Sequence, residues 1–325
     1  MKTRGFILLA VLGGAMLGAN GSAAAVVRCD QISPAPGYSS WPYQAYFQPT
    51  CHNCFETDIV KTFKEVLSEV KNVEIDIWDN WRTGITGNAV PGEWFVRHGL
   101  GHVGNANNCT DNPKGTNNLS ACLNDIKQWS DAHTGHNPIT LFLDKKEAWS
   151  DVKARRRPAD LDGLVTSILG SALYKPASLQ GTYPSLREAA QDKAWPTMGG
   201  LAGKVIVVLT GEALNEYVSD RGPKAALFVA PDTTNQSDIT GTPGGFTAAT
   251  AKYVVFYNIK ATDSRDQLGL ETRANNYVSR LWGSEGWDPC KILANCINDI
   301  ALFDWRKGAC NMTTGVQRTH DKPLQ

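Results

Sequence analysis

The sequence predicts an α/β protein: a single-domain (β/α)8 TIM-type barrel, distorted or incomplete, with a doubly wound open sheet as the competing arrangement. Three observations carry that reading. Short apolar runs rich in Val, Ile and Phe recur along the whole chain, as expected of parallel strands buried on both faces. Segments with apolar residues at helical spacing fall between several of them, which is the βαβ pattern. The runs are spread over the length of the 325-residue chain without a Pro/Gly/Ser-rich linker, and such barrels usually need roughly 250 residues.

The elements follow in order. Lys2 and Arg4, an apolar run from Phe6 to Leu17 and the small residues Ala23, Ala24 and Ala25 read as a cleaved signal peptide over residues 1–25. The run is too short to span a bilayer. Residues 26–325 are then the mature domain of a secreted, extracellular protein. Predicted strands are YQAYF, VEIDIW, EWFVRH, ITLFLD, KVIVVL, AALFVA, YVVFYNI, VSRLWG and DIALFDW. Helical spacing appears at Ile59, Val60, Phe63, Val66, Leu67 and Val70, again from Leu119 to Trp129, and from Leu161 to Leu169.

Charge excludes one class of partner. Lys+Arg and Asp+Glu balance at 32 each, so no bulk field steers the chain toward nucleic acid. The run Arg155-Arg156-Arg157 reads as a solvated loop or, in its sharper form, as a contact with an anionic membrane surface. All 8 cysteines lie after the leader, and an even count in an exported chain indicates disulfides. Cys109–Cys122 and Cys290–Cys296 are the easiest local pairings, although spacing alone leaves the connectivity open. Asn108, Asn118, Asn235 and Asn311 each open an N-x-S/T sequon.

In a barrel the chemistry sits at the C-terminal ends of the strands. His52 and Asn53 end the first predicted strand. Glu74 and Asp76 lie two apart in the second, so both leave the same face. His98 ends the third and Asp144 the fourth. Buried acids are costly unless paired or bound to a cation. Asn53, Glu74, Asp76 and Asp144 offer only oxygen ligands, a set suited to Ca2+, with Mg2+ as the lesser alternative. His52 and His98 are left as candidates for proton transfer. Lys146 and Lys260 are candidates for contact with a phosphate, against the plainer reading of exposed lysines. Trp78 and Trp81 wall a pocket, dip into lipid, or pack. His102, His133, His136 and His320 are expected to face solvent.

The succession HNCF, VEIDIWD, WFVRHG and LFLDKKE resembles the catalytic half of the phosphatidylinositol-specific phospholipase C superfamily. LSACLNDIKQWSDAHTGHNPITLFLDKKE and PSLREAAQDKAWPTMGGLAGKVIVVLTG resemble its calcium-dependent, secreted branch. The resemblance implies a distorted TIM barrel, His52 and His98 as the catalytic histidines, and Asn53, Glu74, Asp76 and Asp144 as calcium ligands. It implies a phospholipid or phosphodiester substrate, cleaved to diacylglycerol and a cyclic inositol phosphate. Peripheral membrane contact and a monomeric chain are separate expectations. Asp144 stands where many members carry Glu, and the cysteines bracketing His52-Asn53 are not general in the superfamily.

Other readings compete. Cys51-x-x-Cys54 between a strand and a helix suggests a thioredoxin-like redox site, but that leaves Glu74, Asp76, His98 and Asp144 without a role. Gly99 to Gly104 fits G-x-G-x-x-G, yet NANNCTDNPKGTNN cannot open the helix such a site needs. Glycerophosphodiester phosphodiesterases usually show His-Arg where this chain has His52-Asn53. A sphingomyelin-type phosphodiesterase and a barrel that binds lipid without cleaving it complete the alternatives.

Overall fold

Ten strands form one curled sheet in a computed structural model that describes residues 38–46, 48–57, 59–60, 62–79, 92–98, 107–110, 117–150, 156–261, 265–284 and 297–302. The predicted leader, Cys29, Trp81, the stretch 99–104 with His102, Arg155, Cys290, Cys296, Cys310, Asn311 and His320 lie outside the described residues. The strands are β1 (Gln48–Cys51), β2 (Asn72–Trp78), β3 (Phe95–Val96), β4 (Ile139–Lys145), β5 (Val205–Gly211), β6 (Phe228–Val229), β7 (Asp232–Thr233), β8 (Phe256–Lys260), β9 (Val278–Trp282) and β10 (Asp299–Leu302). The helices used below are α1 (Phe63–Glu69), α2 (Leu119–Ala132) and α3 (Pro158–Leu169).

The strand order is β6-β5-β4-β2-β1-β10-β9-β8-β7, every neighbouring pair parallel. The two ends of this path are one stretch of chain. Up to Ala230 it bonds to β5, the Ala230 amide donating to the Leu209 carbonyl at 2.9 Å; from Pro231 on it bonds to β8, the Pro231 carbonyl accepting from Asn258 at 3.0 Å. Successive residues of an extended segment turn their backbone groups to opposite sides, so Ala230 serves β5 and Pro231 serves β8. The ring closes through this interrupted strand, as a (β/α)8 barrel requires.

Alternation along β2 sends Val73, Ile75 and Ile77 toward the helices and Glu74 and Asp76 the other way; all five are buried. Helix α1 begins after Thr62 and buries Phe63, Val66 and Leu67 at the i, i+3, i+4 spacing of one face. Its neighbour α2 continues that layer against α3. Each fully buried side chain of this kind contributes about 1.5–3 kcal/mol, and Phe63→Ala would cost about 3–5 kcal/mol.

Three expectations are corrected. The described part of YQAYF, Tyr43 to Tyr46, is not a strand: Tyr43–Ala45 is a 3₁₀ turn, and β1 spans Gln48–Cys51. Its tyrosines are buried for another reason, closing the barrel floor, where the Tyr43 hydroxyl meets Thr140 Oγ1 at 2.8 Å. EWFVRH forms only the two-residue β3, which runs antiparallel along the end of β2, Ile77 opposite Val96; it is an excursion from the ring. In the arginine run Arg156 is 2% exposed and ion-paired at 3.2 Å with Asp79, while Arg157 reaches Glu216 at 3.3 Å. Arg156 is therefore structural, neither a solvated charge nor a membrane contact.

Cys51 is bonded to Cys54 and Cys109 to Cys122, with no free cysteine among the described residues. The sequon residue Asn108 is buried, and its side-chain amide donates to the Cys54 carbonyl at 2.7 Å and the Val60 carbonyl at 3.0 Å. His133 is exposed and stacks on Trp129, whereas His136 is half-buried and bonded to Ser130. Among the described residues no helix is long and apolar enough to cross a membrane.

Candidate active site

β1 and β2 pair with Cys51 opposite Val73, so the chain leaving β1 passes directly over Glu74. His52 stands there, its Nε2 3.7 Å from Glu74 Oε2. Asn53 follows in the left-handed conformation, φ +57°, 1% exposed. Neither its amide nitrogen nor its oxygen has a hydrogen-bond partner, an unusual state for a buried polar group.

β2 and β4 pair with Asp76 opposite Asp144. Glu74, Asp76 and Asp144 each bring a carboxylate oxygen to within 4.8 Å of the others. Burial, reinforced by the charges of Glu74 and Asp144, pushes Asp76 well above the ordinary carboxylate range. Burial also pushes Glu74 up, but Arg280, His52 and Lys146 outweigh it and hold that carboxyl below its ordinary value. The Lys146 ammonium sits between two of the acids, bonded to Asp144 and 3.2 Å from Asp76 Oδ1. Burial works against its charge, yet Asp76 and Asp144 raise its pKa above the usual lysine value. Despite that ion pair, neither Asp76 oxygen makes a well-directed hydrogen bond.

These donors fit a hard divalent cation. All are oxygens, and Asn53 Oδ1 and both Asp76 oxygens, which lack hydrogen bonds, are acceptors that such an ion would satisfy.

Glu74 and Asp144 open onto a cleft of about 270 Å³ whose walls include His52, Lys146, Arg280 and Trp282. Its far wall is one hydrogen-bonded row. Arg280 donates to Glu74 and, at 3.0 Å, to Asn258; Asn258 donates to Asp232 at 2.6 Å. β9, β8 and β7 thus brace the β2 acid from across the mouth.

No curated protein matches the chain. Residues 102–235 match the family described as phosphoinositide phospholipase C, Ca2+-dependent. A solved calcium-dependent phosphoinositol-specific phospholipase C from a Gram-negative bacterium, Pseudomonas sp, is 36% identical, with 87% of this chain and 96% of that one covered and a TM-score of 0.78. The chain belongs to this family. A calcium-dependent phosphatidylinositol-specific phospholipase C from Streptomyces antibioticus, 21% identical over 82% of this chain and 95% of its own at a TM-score of 0.65, has the same fold.

Within this phospholipase C-type barrel the other predicted residues are placed differently. His98, just beyond β3, is exposed and has Nδ1 2.8 Å from Glu56 Oε1, a charge contact and not a well-directed hydrogen bond. It is not among the residues lining the cleft. Lys260 is exposed, its ammonium 5.4 Å from the Trp282 ring centre, one layer outside the wall. Trp78 packs: Arg97 lies over its ring at 5.0 Å and its Nε1 donates to the Arg97 carbonyl at 2.8 Å.

Sequence reasoning missed Glu56, Gly211, Asp232, Asn258 and Arg280. Arg280 was findable. An arginine inside the apolar run VSRLWG needs a partner as much as Glu74 does. Gly211 ends β5 at φ +85°, where a Cβ would overlap the Lys145 carbonyl and the Asp144 carboxylate. Only glycine lets β5 pass that close to the acid.

Proposed function

We propose that this chain is a secreted phosphodiesterase that cleaves phosphatidylinositol-type lipids, releasing diacylglycerol and a cyclic inositol phosphate that water opens in a second step. One observation carries the reading: of three clustered carboxylates, Glu74 and Asp144 line one cleft with His52, Lys146 and Arg280, and the unpartnered amide of Asn53 follows His52 in the chain. Asn53, Glu74, Asp76 and Asp144 hold the calcium. When bound there, calcium would supply charge neutralisation at the phosphate and lower the pKa of the attacking hydroxyl.

Lys146 and Arg280 present positive charge to the phosphoryl oxygens, Arg280 braced by Asn258. His52 takes the proton of the inositol 2-hydroxyl as it attacks phosphorus. His98, oriented by Glu56, gives a proton to the departing diacylglycerol oxygen. Lys260, on the outer layer, meets the lipid surface. Residues 26–325 work as one monomeric domain after removal of the leader, in peripheral contact with a membrane and without a nucleic-acid partner.

The test is incubation with phosphatidylinositol and Ca2+, followed by phosphorus NMR, with sphingomyelin and glycerophosphodiesters in parallel. A five-membered cyclic phosphate from the inositol lipid alone is expected. Cleavage confined to either control substrate, or no cleavage at all, would refute the assignment.

A further inference from the structure

We infer that the Cys51–Cys54 disulfide presents Asn53 to the calcium site, so that the redox state of this bond sets calcium affinity; the inference rests on Asn53 being a ligand. The bond spans four residues and encloses the two site residues His52 and Asn53. Asn53 is held left-handed, a conformation that non-glycine residues populate sparsely. Its side chain has no hydrogen bond to fix its direction. The direction of the amide therefore comes from the backbone.

The backbone ties are few. The His52 amide donates to the Leu302 carbonyl at 3.0 Å, the Asn53 carbonyl accepts from Glu56 at 2.9 Å, and the Cys54 carbonyl accepts from Asn108 at 2.7 Å. None of them spans Asn53 from one flank to the other. The disulfide does, with both cysteines fully buried. Reduction by a dithiol breaks the S–S bond: each sulfur takes one electron and one proton, and the dithiol becomes a disulfide. Asn53 is then released to its commoner conformations and the amide oxygen leaves the site. Such bonds persist in oxidising compartments, so calcium binding becomes competent where the chain is oxidised.

Groups that orient metal ligands typically contribute 10- to 100-fold in metal affinity. Coupling is reciprocal. If oxidation tightens calcium about tenfold, saturating calcium must favour the disulfide about tenfold, a shift of about 30 mV for this two-electron couple.

Two measurements on the full chain test this. Calorimetric Ca2+ titration of Cys51→Ser/Cys54→Ser should give binding about tenfold weaker than the oxidised parent, with catalytic turnover largely restored at saturating Ca2+. A protein destabilised in general would not show that restoration. In dithiol redox buffers, alkylation and mass spectrometry on the native chain should show the Cys51–Cys54 equilibrium moving by about 30 mV with Ca2+; this arm decides even if the double variant does not fold. Asn53→Gly, which keeps the left-handed backbone and removes the amide, separates the two ideas. If it weakens Ca2+ binding while the double variant and the redox equilibrium do not respond, the inference is overturned and the ligand assignment stands. If Asn53→Gly binds Ca2+ unchanged, the ligand assignment fails and the inference falls with it.

Discussion

Replacing Lys146 with methionine should make the protein bind calcium more tightly while making it a poorer enzyme. The Lys146 ammonium is 3.2 Å from Asp76 Oδ1 and bonded to Asp144, so it already neutralises part of the cluster that calcium must enter. At an effective dielectric near 20, one such contact is worth about 5 kcal/mol of Coulomb energy. Desolvation offsets much of that. A net release of about 1.4–2.8 kcal/mol would correspond to ten- to a hundredfold tighter calcium, since 1.4 kcal/mol is tenfold. The metal-free variant should also lose up to about 3 kcal/mol of stability, because the buried Asp76 and the half-buried Asp144 lose their counter-charge, and calcium should restore it. Calorimetry and thermal unfolding with and without Ca2+ measure both effects. Turnover should fall, since Lys146 is the residue proposed to meet the phosphate. Calcium affinity that is unchanged or weaker in Lys146→Met would refute the placement of the ion among Asp76 and Asp144.

Other outcomes are equally specific. Gly211→Ala should push Asp144 aside and weaken calcium about 10- to 100-fold, with Asp144 density or a calcium titration as the readout; unaltered affinity would contradict the close approach seen here. Asp299, buried, is raised by burial from 3.8 to about 7. Its folded form holds a proton that the unfolded chain gives up between those values, so it favours folding at low pH and loses that effect as pH rises through 7. The difference is at most about 4 kcal/mol, and Asp299→Asn should flatten urea midpoints compared at pH 5 and pH 8. Glu56→Gln should lower turnover by on the order of tenfold to a hundredfold by loosening His98, with thermal stability and calcium affinity unchanged. A nitrophenyl leaving group, which needs no proton, should largely rescue His98→Ala and not His52→Ala; equal rescue of both would reverse the acid and base roles.

Much of this was legible in the chain because hydrophobic runs and strand ends are local signals. Glu74 and Asp76 announce themselves as acids inside an apolar strand, and Asp144 as the acid that ends another. What failed was long-range. Nothing local distinguishes the Tyr43–Tyr46 part of YQAYF, buried around a 3₁₀ turn, from a strand. The direction of β3 is decided by which edge it meets, and on β2 it meets the last two residues, Ile77 and Trp78. Arg280, Asn258 and Asp232 come from three successive parts of the ring, and their row exists only once β7, β8 and β9 stand side by side. Arg156 looked like one of three solvated arginines because its partner, Asp79, is 77 residues away.

The position of β10 has a consequence for how the molecule is made. It is the last described strand, yet it lies between β1 and β9, with Gln48 opposite Asp299. Asp299 accepts from Thr50 on β1 and Asn72 on β2, more than 220 residues earlier. Contacts of such separation close large loops before they are rewarded, which slows folding and leaves strand edges open in the interval. Until residue 302 is available, β1 has no partner on that side, and the His52 amide lacks the Leu302 carbonyl that anchors it. The loop carrying His52 and Asn53 is therefore completed by the end of the barrel and not by its beginning. A chain still emerging, or one truncated before β10, should hold nearly all of the site's residues and none of its activity, a built-in delay between synthesis of a lipid-cleaving protein and its competence.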